Sequence, residues 1–126
     1  FTLPGAPCIY YGDEAGMTGY RDPFNRMYYP WGAEDEGLQT FYRQLAALHK
    51  KPVLRTGNVT VLEAGNGRIL FRRALAGEKT LTVCCNRAGD WTLTSAHGQL
   101  LLGGGIAAYT PEQLTLGAGG FAILEE

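Results

Sequence analysis

Lys79-Thr80-Leu81-Thr82-Val83-Cys84-Cys85-Asn86 alternates residue by residue. In an extended chain Leu81, Val83 and Cys85 fall on one face, and Thr80, Thr82 and Cys84 on the other. That alternation predicts a strand in a sheet with one wet side, with Cys85 as a core filler and Cys84 as the more accessible thiol. The same period of two runs through everything after Pro52. Asn58–Glu63, Arg68–Ala74, Trp91–Thr94, Gln99–Leu102, Ile106–Tyr109, Gln113–Leu116 and Phe121–Leu124 read as further short strands. Between them stand Gly65-Asn66-Gly67, Ala76-Gly77, Ala88-Gly89-Asp90, Gly103-Gly104-Gly105 and Gly117-Ala118-Gly119-Gly120. Strands at this spacing, punctuated by glycine-rich turns, predict an antiparallel β-sandwich or barrel.

Upstream of Pro52 the text is different. Phe1, Tyr10, Tyr11, Tyr20, Phe24, Tyr28, Tyr29, Trp31, Phe41 and Tyr42 crowd into residues 1–52, whereas only Phe71, Trp91, Tyr109 and Phe121 follow. Cys8-Ile9-Tyr10-Tyr11 reads as a short buried strand between Pro7 and Gly12. From Gly12 to Gly32 the glycines and prolines break every periodicity, and irregular segments of that length are often functional. A helix is predicted from about Glu34 to Lys51, because Leu38, Phe41, Tyr42, Leu45 and Leu48 fall on one helical face. Acids at its start, lysines at its end and Pro52 beyond complete the signature.

Composition narrows the function classes. The 126 residues are 45% hydrophobic and 18% charged, with net charge −1. No basic cluster supports nucleic-acid binding, and no apolar run approaches a membrane span. Three cysteines make no disulfide framework or metal spacing, so reduced thiols and a cytoplasmic location are expected. His49 and His97 lack neighbours that would complete a ligand set, and no metal or cofactor is expected in this chain. The opening Phe1-Thr2-Leu3-Pro4-Gly5 reads as a piece of something longer.

Two groups could carry chemistry. Asp13-Glu14 emerge at the end of the expected strand, and three roles stand open: a catalytic dyad, a structural role in capping loop amides or pairing with an arginine, or substrate contacts. In Tyr20-Arg21-Asp22-Pro23-Phe24-Asn25-Arg26 an acid and a base lie four residues apart around a proline turn. Asp22 and Arg26 could present a carboxylate and a guanidinium to vicinal sugar hydroxyls, or could simply close the loop on each other.

Pro4-Gly5-Ala6-Pro7-Cys8-Ile9-Tyr10-Tyr11-Gly12-Asp13-Glu14-Ala15-Gly16-Met17 resembles the eighth barrel strand and following loop of the α-amylase family of glycoside hydrolases. Thr18 through Arg26, ending at Tyr29-Pro30-Trp31-Gly32, resembles its neopullulanase, cyclomaltodextrinase and maltogenic-amylase branch. The helix with Phe41-Tyr42-Arg43-Gln44-Leu45 resembles that family's last barrel helix, and the β-rich remainder its C-terminal sandwich.

The resemblance implies a mainly β chain: a C-terminal antiparallel β-sandwich of Greek-key type (53–126), preceded by the last strand, loop and helix of a truncated (β/α)8 barrel (1–52). It implies a parent that hydrolyses α-glucans with retention, using an aspartate nucleophile and a glutamate acid/base from earlier strands. Those motifs do not occur here, so no catalytic residue is expected and the piece alone should be inactive. By the match to the Asp-Pro-x-x-Arg turn, Asp22 and Arg26 are the expected substrate-binding residues, contacting an α-glucan oligosaccharide on the non-reducing side of the cut. Met27 departs from the pattern, since relatives often carry a second basic residue there. The sequence leaves open a structural calcium in the parent, the choice of α-1,4 or α-1,6 bonds, and hydrolysis against transglycosylation. The sandwich itself reads as a structural cap, with a carbohydrate-binding module as the alternative. Without a barrel, residues 8–11 and the apolar stripe Leu38/Phe41/Leu45/Leu48 would be disordered, pack onto the sandwich, or bury themselves by self-association through the exposed barrel-facing helix.

Overall fold

The computed structural model describes residues 1–94 and 96–126. The first regular helix, α1 (Glu36–His49), begins two residues later than expected. Asp35 is the reason: its Oδ1 accepts the Leu38 amide hydrogen at 2.8 Å, satisfying a donor that the first turn would leave unpaired. Pro52 ends the path of α1 and also starts α2 (Pro52–Thr56), where a missing N–H and a fixed φ suit the first helical position. Val53 and Leu54 in α2 are buried.

Among the described residues six strands follow: β1 (Asn58–Gly65), β2 (Arg68–Ala74), β3 (Leu81–Asn86), β4 (Trp91–Leu93), β5 (Gln99–Thr110) and β6 (Gln113–Glu125). All pairings are antiparallel, in the order β1-β2-β3-β6-β4, with β5 along β6. The jump from β3 to β6, with β4 and β5 between them in the chain, is a connection of the Greek-key type. The expected eight strands become six because two glycine runs bend the backbone without ending it. Gly103–Gly105 lie inside β5, and Gly117–Gly120 inside β6. Gly105 has φ +60, and a Cβ there would lie 2.7 Å from Gly120 Cα. Two backbones that close, one left-handed, admit only glycine. The pairing shifts register on either side of Gly105, so the long strands fold over as bulged ribbons.

That fold-over creates two layers. Leu114 and Leu116, at the start of β6, join Trp91 and Leu93 of β4 and face Leu70, Cys84, Ala122 and Leu124 across the sandwich core. On the opposite side of β3, Phe71, Val83 and Ile123 pack against Leu45 and Leu48 of α1, while Leu81 packs with Val53 and Leu54 of α2. The expectation of one wet face on β3 is therefore wrong. Every β3 residue but Cys85 is buried, because the second β layer covers one face and the helices cover the other. The thiols are reversed as well: Cys84 is fully buried in the sandwich core and Cys85 is exposed. The helices cover Leu81 and Val83 and leave Cys85 at a groove of about 200 Å³ between α1 and the sheet.

Two further expectations change. Cys8–Tyr11 is neither paired as a strand nor buried. Among the described residues no strand lies beside it, and the Tyr10 carbonyl instead accepts from Asp13 N at 3.1 Å to open a 3-10 turn over Asp13–Ala15. The apolar stripe of α1 lies against the sandwich, with Leu45 and Leu48 on the sheet and Phe41 meeting Phe121 with ring centroids 5.3 Å apart. Packing onto the sandwich is the outcome the structure adopts for the stripe, while residues 8–11 stay exposed.

Arg73 ties the parts together. It is fully buried, and its guanidinium donates to the carbonyls of Thr2 (2.6 Å), Leu54 (2.9 Å) and Gly57 (2.8 Å). Burial pulls its pKa below the usual arginine value, and the three carbonyl dipoles supply what water would have.

Candidate functional site

The irregular segment between Tyr10 and Asp35 is held by a few well-placed polar contacts. Gly12 accepts from Ala15 N at 3.0 Å and Met17 N at 2.9 Å, closing the 3-10 turn. Glu14 Oε2 accepts the Gly12 amide hydrogen at 3.1 Å. This is the capping role among the three left open for Asp13-Glu14. Asp13 lines a cleft instead. The far end of the segment is anchored where Asp35 N donates to Ala15 O at 3.1 Å and Gln39 Nε2 of α1 donates to the Tyr29 hydroxyl at 3.3 Å.

The expected site residues sit on a tight turn. Phe24 N donates to Arg21 O at 2.9 Å, and Arg26 N to Pro23 O at 3.0 Å, with the Asp22-Pro23 peptide cis. Asp22 and Arg26 are brought together: Arg26 Nε lies 2.6 Å from Asp22 Oδ1, and their side chains are 62% and 71% exposed. Of the two sequence alternatives, loop closure by mutual pairing is thus present. An exposed pair of this kind is worth at most about 1 kcal/mol, so hydroxyl groups can compete for either partner. Beside the turn lies a cleft of about 200 Å³ lined by Tyr10, Tyr11, Asp13, Tyr20, Phe24 and Asn25. Tyr20, Phe24, Tyr28 and Trp31 leave their rings largely in solvent, and Tyr29 and Trp31 pack at 4.5 Å between centroids. Charged acceptor and donor groups bordered by open aromatic faces can bind a polyhydroxylated ring from its edge and its face together.

The two histidines serve the fold. His49 Nδ1–H donates to Phe1 O at 2.7 Å, and His97 Nδ1–H to Pro111 O at 3.1 Å. Among the described residues, no three His, Cys, Asp or Glu side chains gather in a way that could hold a metal ion.

The sequence reading missed the Tyr11 hydroxyl. It reaches Asn25 O at 3.2 Å and Met27 O at 3.3 Å, across a span of 14 to 16 residues. No periodicity or spacing signals such a contact, because both partners are backbone atoms of an aperiodic loop.

No protein-family model matches the chain. It is 46% identical over 79 residues to the amylopullulanase of Thermoanaerobacter thermohydrosulfuricus, covering 61% of this chain and 5% of that protein. It is 44% identical over 97 residues to neopullulanase 2 of Thermoactinomyces vulgaris, covering 73% of this chain and 17% of that protein. Its fold matches the acarbose-soaked crystal structure of the Nostoc punctiforme debranching enzyme with a TM-score of 0.78 at 34% identity, covering 99% of this chain and 27% of that one. The chain therefore spans only a small part of the length of the proteins it matches. Relatives and structural neighbours agree with each other and with the loop motifs: the chain belongs to the α-amylase family of glycoside hydrolases.

Proposed function

We propose that this chain forms part of an enzyme that hydrolyses α-glucosidic bonds with retention. In this reading the turn carrying Asp22 and Arg26 binds a glucosyl unit on the non-reducing side of the cut, and residues 53–126 act as structural support. The observation that carries it is the exposed Asp22–Arg26 pair at 2.6 Å beside a cleft edged with open aromatic rings. The carboxylate offers acceptors and the guanidinium a fork of donors, which together match neighbouring hydroxyls on a pyranose. Sugar binding opens a weak surface ion pair and replaces it with charge-assisted hydrogen bonds, so little is lost on entry. The bond-breaking carboxylates of such an enzyme stand across the scissile bond, one as nucleophile and one as acid/base. This chain supplies neither. Glu14 accepts the Gly12 amide hydrogen, and Asp22 in this reading binds sugar rather than breaking its bond.

The burial of the sandwich aromatics supports its structural role. Phe71 and Trp91 are core residues, Phe121 packs against Phe41, and Tyr109 is 39% exposed, which leaves no paired platform for stacking on glucan. The test is an assay of the full gene product on cyclodextrin, pullulan and starch, beside the 126-residue chain alone. The gene product should release reducing sugar and the isolated chain none. Asp22→Ala and Arg26→Ala should raise KM. Absence of hydrolysis by the gene product on all three substrates would overturn the reading, as would turnover by the isolated chain.

A further inference from the structure

We infer that Tyr11 and Gly19 are positioning residues for the sugar-binding turn, a conclusion that rests on the reading of Asp22 and Arg26 given above. The Tyr11 hydroxyl has one hydrogen and lies within reach of two carbonyls, Asn25 O at 3.2 Å and Met27 O at 3.3 Å. Those carbonyls belong to the residues on either side of Arg26. The hydroxyl therefore holds the backbone on both flanks of the arginine, while Tyr11 itself lies two residues before the 3-10 turn. Gly19 braces the same stretch from another side. A Cβ there would lie 2.9 Å from Asn25 Cα, so the limb carrying Thr18 and Gly19 lies directly against the limb carrying Arg26.

The turn's own hydrogen bonds, Phe24 N to Arg21 O and Arg26 N to Pro23 O, set its local shape and not its position in the molecule. Tyr11 and Gly19 tie the turn to the start of the segment, beside the anchors at Ala15 and Tyr29. Tyr11 is 45% exposed and lies outside the buried clusters, so loss of its hydroxyl leaves the core unchanged. A binding pair aimed by a single shared hydrogen bond loses affinity when that bond is removed, because the arginine must then be ordered by the ligand itself.

The experiment compares Tyr11→Phe, Gly19→Ala and Arg26→Ala in the full gene product, reading KM and kcat on maltoheptaose and the thermal midpoint. Arg26→Ala tests the underlying reading, and its KM should rise about tenfold or more. Tyr11→Phe should raise KM by about three- to tenfold, the worth of one hydrogen bond, with kcat and midpoint unchanged. Gly19→Ala should raise KM at least as much. If Arg26→Ala raises KM while both other variants stay within twofold of the parent, the inference falls and the reading stands. If Tyr11→Phe lowers kcat and the midpoint together with its effect on KM, the residue is merely structural and the inference falls. If Arg26→Ala leaves KM unchanged, the reading itself falls and takes the inference with it.

Discussion

Asn86 provides the sharpest test of how the two β layers are joined. It is buried, and its Nδ2 lies 3.0 Å from Gly89 O, 3.1 Å from Leu116 O and 3.0 Å from Gly117 O, while its Oδ1 accepts from Ala88 N at 3.1 Å. One side chain thus closes the turn after β3 and holds it against the bend of β6. Asn86→Ala removes these contacts and strands polar groups near the core. With about 1 kcal/mol net for each hydrogen bond, and more for a buried group left unpaired, the loss should be about 3 kcal/mol. Asn86→Asp is nearly isosteric, yet it turns an oxygen toward three carbonyl oxygens. Its carboxyl should hold a proton in the folded state more tightly than in the unfolded chain, so its folded pKa is raised. The folded variant then binds more protons than the unfolded one. Its stability is highest below the unfolded aspartate pKa of about 3.9 and declines as pH rises through the folded value. Urea denaturation read by the fluorescence of buried Trp91, with exposed Trp31 as background, measures all three proteins. The reasoning is refuted if Asn86→Ala stays within 1 kcal/mol of the parent, or if Asn86→Asp, referenced to the parent at each pH, loses no stability between pH 4 and pH 7.

The Glu125 carboxylate is held below the usual carboxylate range, first by Lys51 Nζ at 2.7 Å and then by Lys79 Nζ at 3.1 Å. A depressed folded pKa stabilises the chain above the unfolded value of about 4.3 and is lost as pH falls through the folded one, so Glu125→Gln should flatten the acid limb of a stability-against-pH curve; an unchanged acid limb would contradict this. Gly105→Ala should destabilise by 2 kcal/mol or more, since it adds a clash at 2.7 Å to a left-handed φ, whereas Gly119→Ala, with φ +77 and open space around the new methyl, should cost only about 1 kcal/mol in the same denaturation assay. Thiol titration should find Cys8 quickly and Cys85 more slowly, with Cys84, whose pKa burial pushes up to about 12, reacting only after unfolding; rapid reaction of all three would show that the sandwich core opens.

How much of this was legible in the chain follows from where the information sits. The face of α1 could be read because a helix places i, i+3 and i+4 together whatever surrounds it, and its start was misplaced by two residues because the Asp35 cap is a contact and not a pattern. The strands after Pro52 could be read by their period of two. Their number could not, because a glycine run between apolar runs is the same text for a turn as for a bulged continuation, and only the meeting of Gly105 with Gly120 distinguishes them.

The sequence by itself determined the helix α1, the mainly β character after Pro52, the family resemblance and the pairing-competent spacing of Asp22 and Arg26. Local periodicity and short motifs carry those, since they need only neighbours along the chain. Tertiary structure alone decided that both faces of β3 are covered and that Cys84 is buried while Cys85 is exposed. It also decided that Arg73 binds three distant carbonyls, and that a tyrosine hydroxyl spans the flanks of Arg26. Alternation states which residues share a face but not which face is covered. Coverage depends on packing between segments far apart in the chain, and that packing exists only once the layers have closed.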